Sequence, residues 1–379
     1  MHYKRCDGCN AWLASAMQNP AIVMKVLKRF GSATELYSAL AAGDSLVLAD
    51  FFEPKVIMKL RQSAKQDAMH AMMEKMQKES IGIITYDDFV YPDALRNIQN
   101  PPPFLFYKGN LECLKRKCIS IVGTRKASPG GLEKTKEIAF HLAKAGVAVV
   151  SGLAVGIDGA AHRGCLDAGG QTIGLCAGGI DVNYPAEHEA LRQELLQKGG
   201  LLLSEYPPGT RAYPGHFQMR NRIISGLSSA VVMMECQVRS GSMITVQHAL
   251  DQGREVFAYP GLAGTEYAAG AHQLLREGAN YFVTAEDILS DLGWQAQRSA
   301  PPVMKQEPPS LVNDTPVSEQ QKKILAVLLQ SGEQSYDQLA AATGMNASEL
   351  SGELTMLQLY GIIQALPGKQ YVIKNKSVR

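Results

Sequence analysis

A chain of 379 residues, 46% hydrophobic and 20% charged, has the length of roughly two to three domains and a globular make-up, which excludes wholesale disorder. Lys+Arg 38 against Asp+Glu 36 leaves a formal +2, so a polyanionic partner has to be held by a local patch and not by a global field. The longest uncharged stretch, Gly8–Met24, contains Asn10, Gln18, Asn19 and Pro20 and falls short of the ~18 apolar residues of a membrane span.

At the start of the chain, Lys4 and Arg5 precede an apolar run too short for a secretory signal. The seven cysteines are an odd number, and Cys118, Cys176 and Cys236 lie in apolar runs, as small buried hydrophobes do in a reduced cytoplasm. Cys6-Asp7-Gly8-Cys9 has no second pair at zinc spacing, so no metal site and no cofactor is expected. Residues 8–80 read as helices: Ile22-Val23, Val26-Leu27, Phe30, Leu36 and Leu40 recur at three to four residues. Gly31 stands where a helix stops, and Ser32 or Thr34 is placed to cap the next. Such a module serves either contacts with DNA or protein, or packing alone.

From Cys118 short β-branched runs alternate with amphipathic stretches. Ile119–Val122, Val147–Val150, Thr172–Cys176, Leu201–Leu203, Ala230–Met234 and Glu255–Ala258 read as strands, Leu132–Lys144 and Ala186–Lys198 as helices. Continuous apolar strands between helices predict an α/β fold with a parallel sheet covered on both faces. Each strand runs into a turn-forming or polar segment: Gly123-Thr124-Arg125, Ser151-Gly152 through Asp158, Gly178-Gly179, Glu205-Tyr206-Pro207, Glu235 with Arg239-Ser240-Gly241-Ser242, and Pro260-Gly261. In an open parallel sheet these loops gather along one edge, where glycine amides and helix N-termini favour anions. The pattern predicts a phosphate-binding face.

Gln295–Pro316 holds five prolines and places an extended linker over 293–316. Beyond it, a helix over Ser318–Gln330, a second capped by Ser335 and ending near Gly344, a third over Ala347–Leu359 and a hairpin around Leu366–Val372 predict a winged helix. Its third helix carries Glu349 and Glu353 and no Lys or Arg, which suits a protein contact better than base reading.

Phe217-Gln218-Met219-Arg220-Asn221-Arg222 puts two guanidinium forks, suited to phosphate, behind an aromatic suited to an unpaired base. On a helix Arg220 and Arg222 point about 200° apart, so one is expected at the loop edge and the other against a neighbouring element. Ser151, Asp158 and His162 suggest a hydrolytic triad. The serine, however, is outside a G-x-S-x-G elbow, and Asp158 is placed to cap the helix that holds His162. Glu205 and Glu235 end strands in the crevice, either holding arginines or acting as acid and base.

Val122-Gly123-Thr124-Arg125, Ser151-Gly152-Leu153-Ala154 with Gly156-Ile157-Asp158 and Ala161-His162, Tyr184-Pro185, Arg220-Asn221-Arg222, Ser240-Gly241-Ser242 with Thr245, Pro260-Gly261 and Gly278-Ala279 together resemble the bacterial DNA-processing protein A family (DprA, also called Smf). So does the lead-in from Tyr91-Pro92 and Leu95 through Pro102-Pro103 and Leu105 to Lys108-Gly109. The likeness covers about residues 80–285. It implies an extended Rossmann-like sheet (81–292) between an N-terminal helical, SAM-like domain (1–80) and a C-terminal winged helix (317–379). It further implies a cytoplasmic homodimer that binds single-stranded DNA, protects it and loads the RecA recombinase in natural transformation, with no catalytic step. The DNA-binding residues would be Gly123, Thr124, Arg125, Ser151, Gly152, Phe217, Arg220, Asn221, Arg222, Arg239, Ser240 and Gly241. Four arginines on four phosphates would give a salt slope of roughly −3. Gln218 replaces a usual proline, His272 a usual asparagine and Val246 a usual alanine; none removes a charge. The rival is an enzyme of the nucleotide phosphoribohydrolase type, whose P-G-G-x-G-T-x-x-E signature has Thr245 here in place of the glutamate. A nucleotide sensor using the same loops is the third reading.

Overall fold

The three-to-four-residue apolar spacing at the start of the chain folds into six helices: α1 (Arg5–Ala16), α2 (Pro20–Phe30), α3 (Ala33–Ala42), α4 (Ser45–Ala49), α5 (Pro54–Ser63) and α6 (Gln66–Lys78). Helix α2 stops at Gly31, φ +81°, and the Ser32 hydroxyl accepts from the Glu35 amide at 3.1 Å to open α3. The structure is a computed structural model and describes residues 5–43, 45–294, 318–360, 362–366 and 370–373.

Trp12, Leu13, Val26, Leu36 and Leu60 of these helices are buried in one cluster with Phe104, Phe106, Leu153, Leu195 and Leu202 of the sheet layer. The helices therefore share a core with the sheet, and Met1–Ala296 is a single compact unit. A Lys75–Asp181 ion pair of 2.7 Å adds a polar tie between α6 and the loop after the fifth strand.

The sheet has nine strands: β1 (Gly82–Thr85), β2 (Phe104–Gly109), β3 (Cys118–Val122), β4 (Ala148–Ser151), β5 (Thr172–Leu175), β6 (Leu201–Ser204), β7 (Ala230–Met233), β8 (Glu255–Ala258) and β9 (Asn280–Tyr281). Their spatial order is β1-β2-β6-β5-β4-β3-β7-β8-β9. From β6 to β9 every neighbouring pair is parallel. The sheet is not parallel throughout, because β2 runs antiparallel to both β1 and β6. The burial pattern explains the difference. Strands β3 to β7 are buried at every residue, as helices on both faces require, whereas β1 alternates and tolerates an antiparallel edge.

Between the strands lie α7 (Asp93–Arg96), α8 (Pro129–Lys144), α9 (Ile157–Asp167), α10 (Glu189–Gln197), α11 (Pro214–Gly226), α12 (Gly241–Asp251) and α13 (Ala269–Arg276), and α14 (Ala285–Asp291) follows β9. The chain winds outward from β3 through β4, β5 and β6, then returns through α11 to lay β7 on the other side of β3. The direction of winding reverses between β3 and β7, and such switch points open a crevice at the carboxyl ends of the strands.

The second unit, Gln297–Arg379, contains α15 (Glu319–Ser331), α16 (Tyr336–Thr343), α17 (Ala347–Leu359) and an antiparallel sheet of β10 (Gln334–Ser335), β11 (Ile363–Leu366) and β12 (Gln370–Ile373) in the order β10-β12-β11. Ser318, Ser335 and Asn346 each close a reciprocal cap with the residue three positions on. Ile324, Leu328, Leu339, Leu350, Leu354 and Leu357 form the core of a winged helix. The expected linker lies outside the described residues from 295 onward.

Candidate nucleic-acid interface

The loops after β3, β4 and β7 meet at the switch point and fix one another through backbone contacts. The Thr124 amide donates to the Glu235 carbonyl at 2.7 Å, and the Ile157 amide donates to the Thr124 carbonyl at 3.2 Å. Gly156 has φ +84°, and a Cβ there would stand 2.4 Å from the Thr124 carbonyl oxygen. Only glycine meets both conditions.

In a dinucleotide-binding sheet the helix after the first strand points its N-terminus at a pyrophosphate. Here that position is filled from within. The Glu235 carboxylate accepts from the Ser128 amide at 2.8 Å and from the Ser128 hydroxyl at 2.6 Å, directly at the start of α8. Gly131 makes room for it: a Cβ would lie 2.2 Å from the Glu235 Cδ. The start of α9 is likewise closed by the Thr124 carbonyl. Helix α12 differs. Its N-cap Ser240 makes no side-chain cap bond, the space around Gly241 is open, and the Ser240 and Ser242 hydroxyls lie 2.7 Å apart beside exposed Arg239.

Arg222 braces a neighbouring element, as one of the pair was expected to, but Arg220 does not stand exposed at the loop edge: both are buried. Arg220 donates to the Gly152 carbonyl at 2.7 Å and to the Leu175 carbonyl, pinning the ends of β4 and β5. Arg222 pairs with Glu205 at 2.6 Å, where burial pushes the carboxyl pKa up and Arg222 pulls it back. Asn221 donates to the Gly241 carbonyl at 3.3 Å and ties α11 to the start of α12. These side chains face inward because carbonyls and a carboxylate inside the fold outbid solvent for their donors.

Gly152 sits between Arg220 and Asp158, and a Cβ would meet the guanidinium at 2.6 Å and Asp158 Oδ2 at 2.7 Å. Asp158 does not cap its own helix. The N-cap of α9 is Gly156, and the Asp158 carboxylate accepts from the Gly152 amide at 3.1 Å and the Ala154 amide at 3.4 Å. Burial raises its pKa against the pull of Arg220. No Asp158–His162 pair forms either: His162 Nδ1 meets the Thr172 hydroxyl at 2.7 Å, and Ser151 donates to the Ile121 carbonyl at 2.6 Å. Ser151 also bonds the Asp158 carboxylate, but His162 is tied to Thr172, so the three candidates form no Ser–His–Asp relay. Among the described residues no His, Cys, Asp and Glu group is arranged to hold a metal, and Cys9 is buried in the helical core.

What remains on the rim is cationic and aromatic. Arg125 and Arg239 are exposed, as are Lys126 and Arg211, two cations the sequence motifs passed over because neither belongs to a recurring pattern. The Arg125 guanidinium lies over the Phe217 ring at 5.0 Å, and Phe217 meets Tyr184 at 5.4 Å. His216 stacks on Tyr206 at 3.9 Å, with Tyr213 edge-on to it and 65% exposed. Aromatic faces beside exposed cations, with the seat at α8 filled, suit an extended polyanion with unpaired bases.

Residues 82–293 match the family model described as DNA recombination-mediator protein A, and residues 305–369 match that of the DprA winged helix domain. The chain is 32% identical to Protein Smf of Synechocystis sp. over 95% of its own length and 97% of that protein's. It is 37% identical to the DNA processing protein DprA of Streptococcus pneumoniae over 71% and 92% of the two chains. A solved structure of the S. pneumoniae protein superposes with a TM-score of 0.64 at 32% identity, covering 77% of this chain and 99% of that one. The Helicobacter pylori DNA processing protein A, whose structure describes its single-stranded DNA binding mode, gives 0.51 at 30% identity over 55% and 95%.

Proposed function

Because the chain belongs to the DNA recombination-mediator protein A family, we propose that it grips single-stranded DNA along the rim at the switch point. The observation that carries the reading is the contrast between a filled helix seat and an open cationic rim. Glu235 occupies the place of a nucleotide phosphate at α8, while Arg125, Lys126, Arg211 and Arg239 stand exposed around Phe217 and Tyr184. Gly123, Thr124, Arg125, Arg239, Ser240 and Gly241 then contact phosphates. Phe217 supplies the aromatic element. Ser151, Gly152, Arg220, Asn221 and Arg222 act from beneath, by fixing the loops.

The same proposal holds the protein to binding and not to catalysis. A hydrolase of the phosphoribohydrolase type needs a carboxylate where Thr245 stands, buried on α12. A nucleotide sensor needs the phosphate seat that Glu235 fills. Protection of the strand, its delivery to the RecA recombinase in transformation and a cytoplasmic setting are part of the same proposal. A homodimer belongs to the reading too, supported by two exposed apolar side chains, Leu262 (76%) after β8 and Tyr281 (59%) on edge strand β9. No helix of the described residues is long and apolar enough to cross a membrane.

The test is fluorescence anisotropy of the full chain with a labelled oligonucleotide, single-stranded and then as duplex. Tighter binding of the single strand is expected. Equal affinity, or no binding, refutes the reading.

A further inference from the structure

Phe217 is half-buried and flanked on two sides. The Arg125 guanidinium lies 5.0 Å from its centroid, and the Tyr184 ring lies 5.4 Å away with its plane turned by 60°. A cation over an aromatic face is held by the ring quadrupole, so part of the Phe217 surface is taken before any ligand arrives. Of the two rings Tyr184 is the more exposed, at 44%.

Resting on the single-stranded DNA reading, we propose that Tyr184 is the ring that receives a base of the bound strand, with Phe217 as a positioning residue that packs against both Tyr184 and Arg125. The arrangement joins the two kinds of contact a single strand offers. Arg125 takes a phosphate, Tyr184 takes a base, and the ring that touches both relates the two positions. It also supplies a source of selectivity. In a duplex each base is stacked on its neighbours about 3.4 Å apart and has no face to give. A base reaches Tyr184 only after leaving such a stack, at a cost that is smallest for a strand already unpaired. The 60° tilt adds to this, because a stack of parallel bases cannot lie flat on both rings.

The experiment uses the full chain and two labelled probes of equal length, an oligothymidylate and an abasic oligonucleotide that keeps the phosphates and lacks the bases. Tyr184→Ala is expected to weaken oligothymidylate binding about five- to hundredfold, the range of one base–aromatic stack. It should leave abasic binding and the salt slope unchanged, with Tyr184→Phe close to wild type. Tyr184→Leu keeps apolar bulk without the aromatic face and is expected to lose the same factor, so the test stands if the alanine variant folds poorly. Arg125→Gln should weaken both probes alike, and Phe217→Ala should do both, since it frees both neighbours. Wild-type affinity for oligothymidylate in Tyr184→Leu overturns the assignment, as does an equal loss on the abasic probe. Wild-type protein that binds neither probe overturns the DNA reading itself, a different failure from that of Tyr184.

Discussion

Replacing Arg211 by Gln tests whether the rim, and not the arginine-rich helix α11, neutralises the bound strand. Four cations stand exposed on the rim, Arg125, Lys126, Arg211 and Arg239, while Arg220 and Arg222 are enclosed. At about 0.7 per phosphate on single strands, four contacts give a slope of log affinity against log salt of about −2.8. Between roughly 50 and 200 mM salt the wild type then loses about 50-fold in affinity. Arg211→Gln should have a slope of about −2.1 and lose about 18-fold over the same range. The control is the double variant Glu205→Leu with Arg222→Met, which removes the buried pair and leaves every rim cation in place. Its slope is expected to match wild type. Anisotropy titrations at four or five salt concentrations measure all three proteins. An unchanged slope in Arg211→Gln, or a drop of about 0.7 or more in the control, refutes the division into rim and interior.

Three further outcomes concern groups inside the fold. Arg222→Met alone leaves the Glu205 carboxylate enclosed without its partner and should cost about 3–5 kcal/mol in urea unfolding, most of which the double variant with Glu205→Leu restores; equal stability of the two variants contradicts an uncompensated charge. His162 is fully buried, and burial, together with His188 and Arg220, lowers its pKa to about 3. The unfolded chain binds that proton below about pH 6.5 and the folded one does not, so stability present above pH 6.5 falls as pH drops toward 3, by about 2 kcal/mol at pH 5. His162→Gln should flatten that part of the profile, and identical urea midpoints against pH for both proteins would sink the assignment. Gly156→Ala puts a Cβ 2.4 Å from the Thr124 carbonyl oxygen at φ +84°; it should destabilise by about 1–3 kcal/mol or more and loosen the first loop, read as a lower melting temperature with weaker single-strand binding.

The strand ends were legible because a parallel sheet writes itself locally. Ala230–Met233 is an unbroken apolar run and Ile119–Val122 one interrupted only by the small Ser120, and the loops after them must emerge on the same edge. Gly31, Ser32 and Ser335 were legible for the same reason, since a cap depends on residues one turn away. The direction of Arg220 was not. Its acceptors, the carbonyls of Gly152 and Leu175, are 68 and 45 residues distant in the chain, and nothing on α11 distinguishes a guanidinium aimed at them from one aimed at solvent. Asp158 misled in the same way. A carboxylate at the start of a helix reads as its cap, and only the folded loop offers it the Gly152 and Ala154 amides instead. The antiparallel edge escaped because β1 and β2 precede the run of βα units that identified the sheet.

A charge of +2 on the whole chain supplies no field that would favour DNA, so selectivity for a polyanion has to come from where charge is cancelled. Glu235 cancels the positive end of α8, Glu205 cancels Arg222, and Asp158 faces Arg220 across Gly152. Each places a carboxylate beneath the rim surface, and none of the four rim cations forms an ion pair among the described residues. The compact phosphate seat at α8 is filled, and the rim cations are spread over the loops after β3, β6 and β7. On the proposed reading an extended strand engages them one after another and releases counterions at each contact. On that reading the burial of carboxylates beneath the loops also favours an extended ligand, and the salt slope and the seat at α8 are two tests of one arrangement.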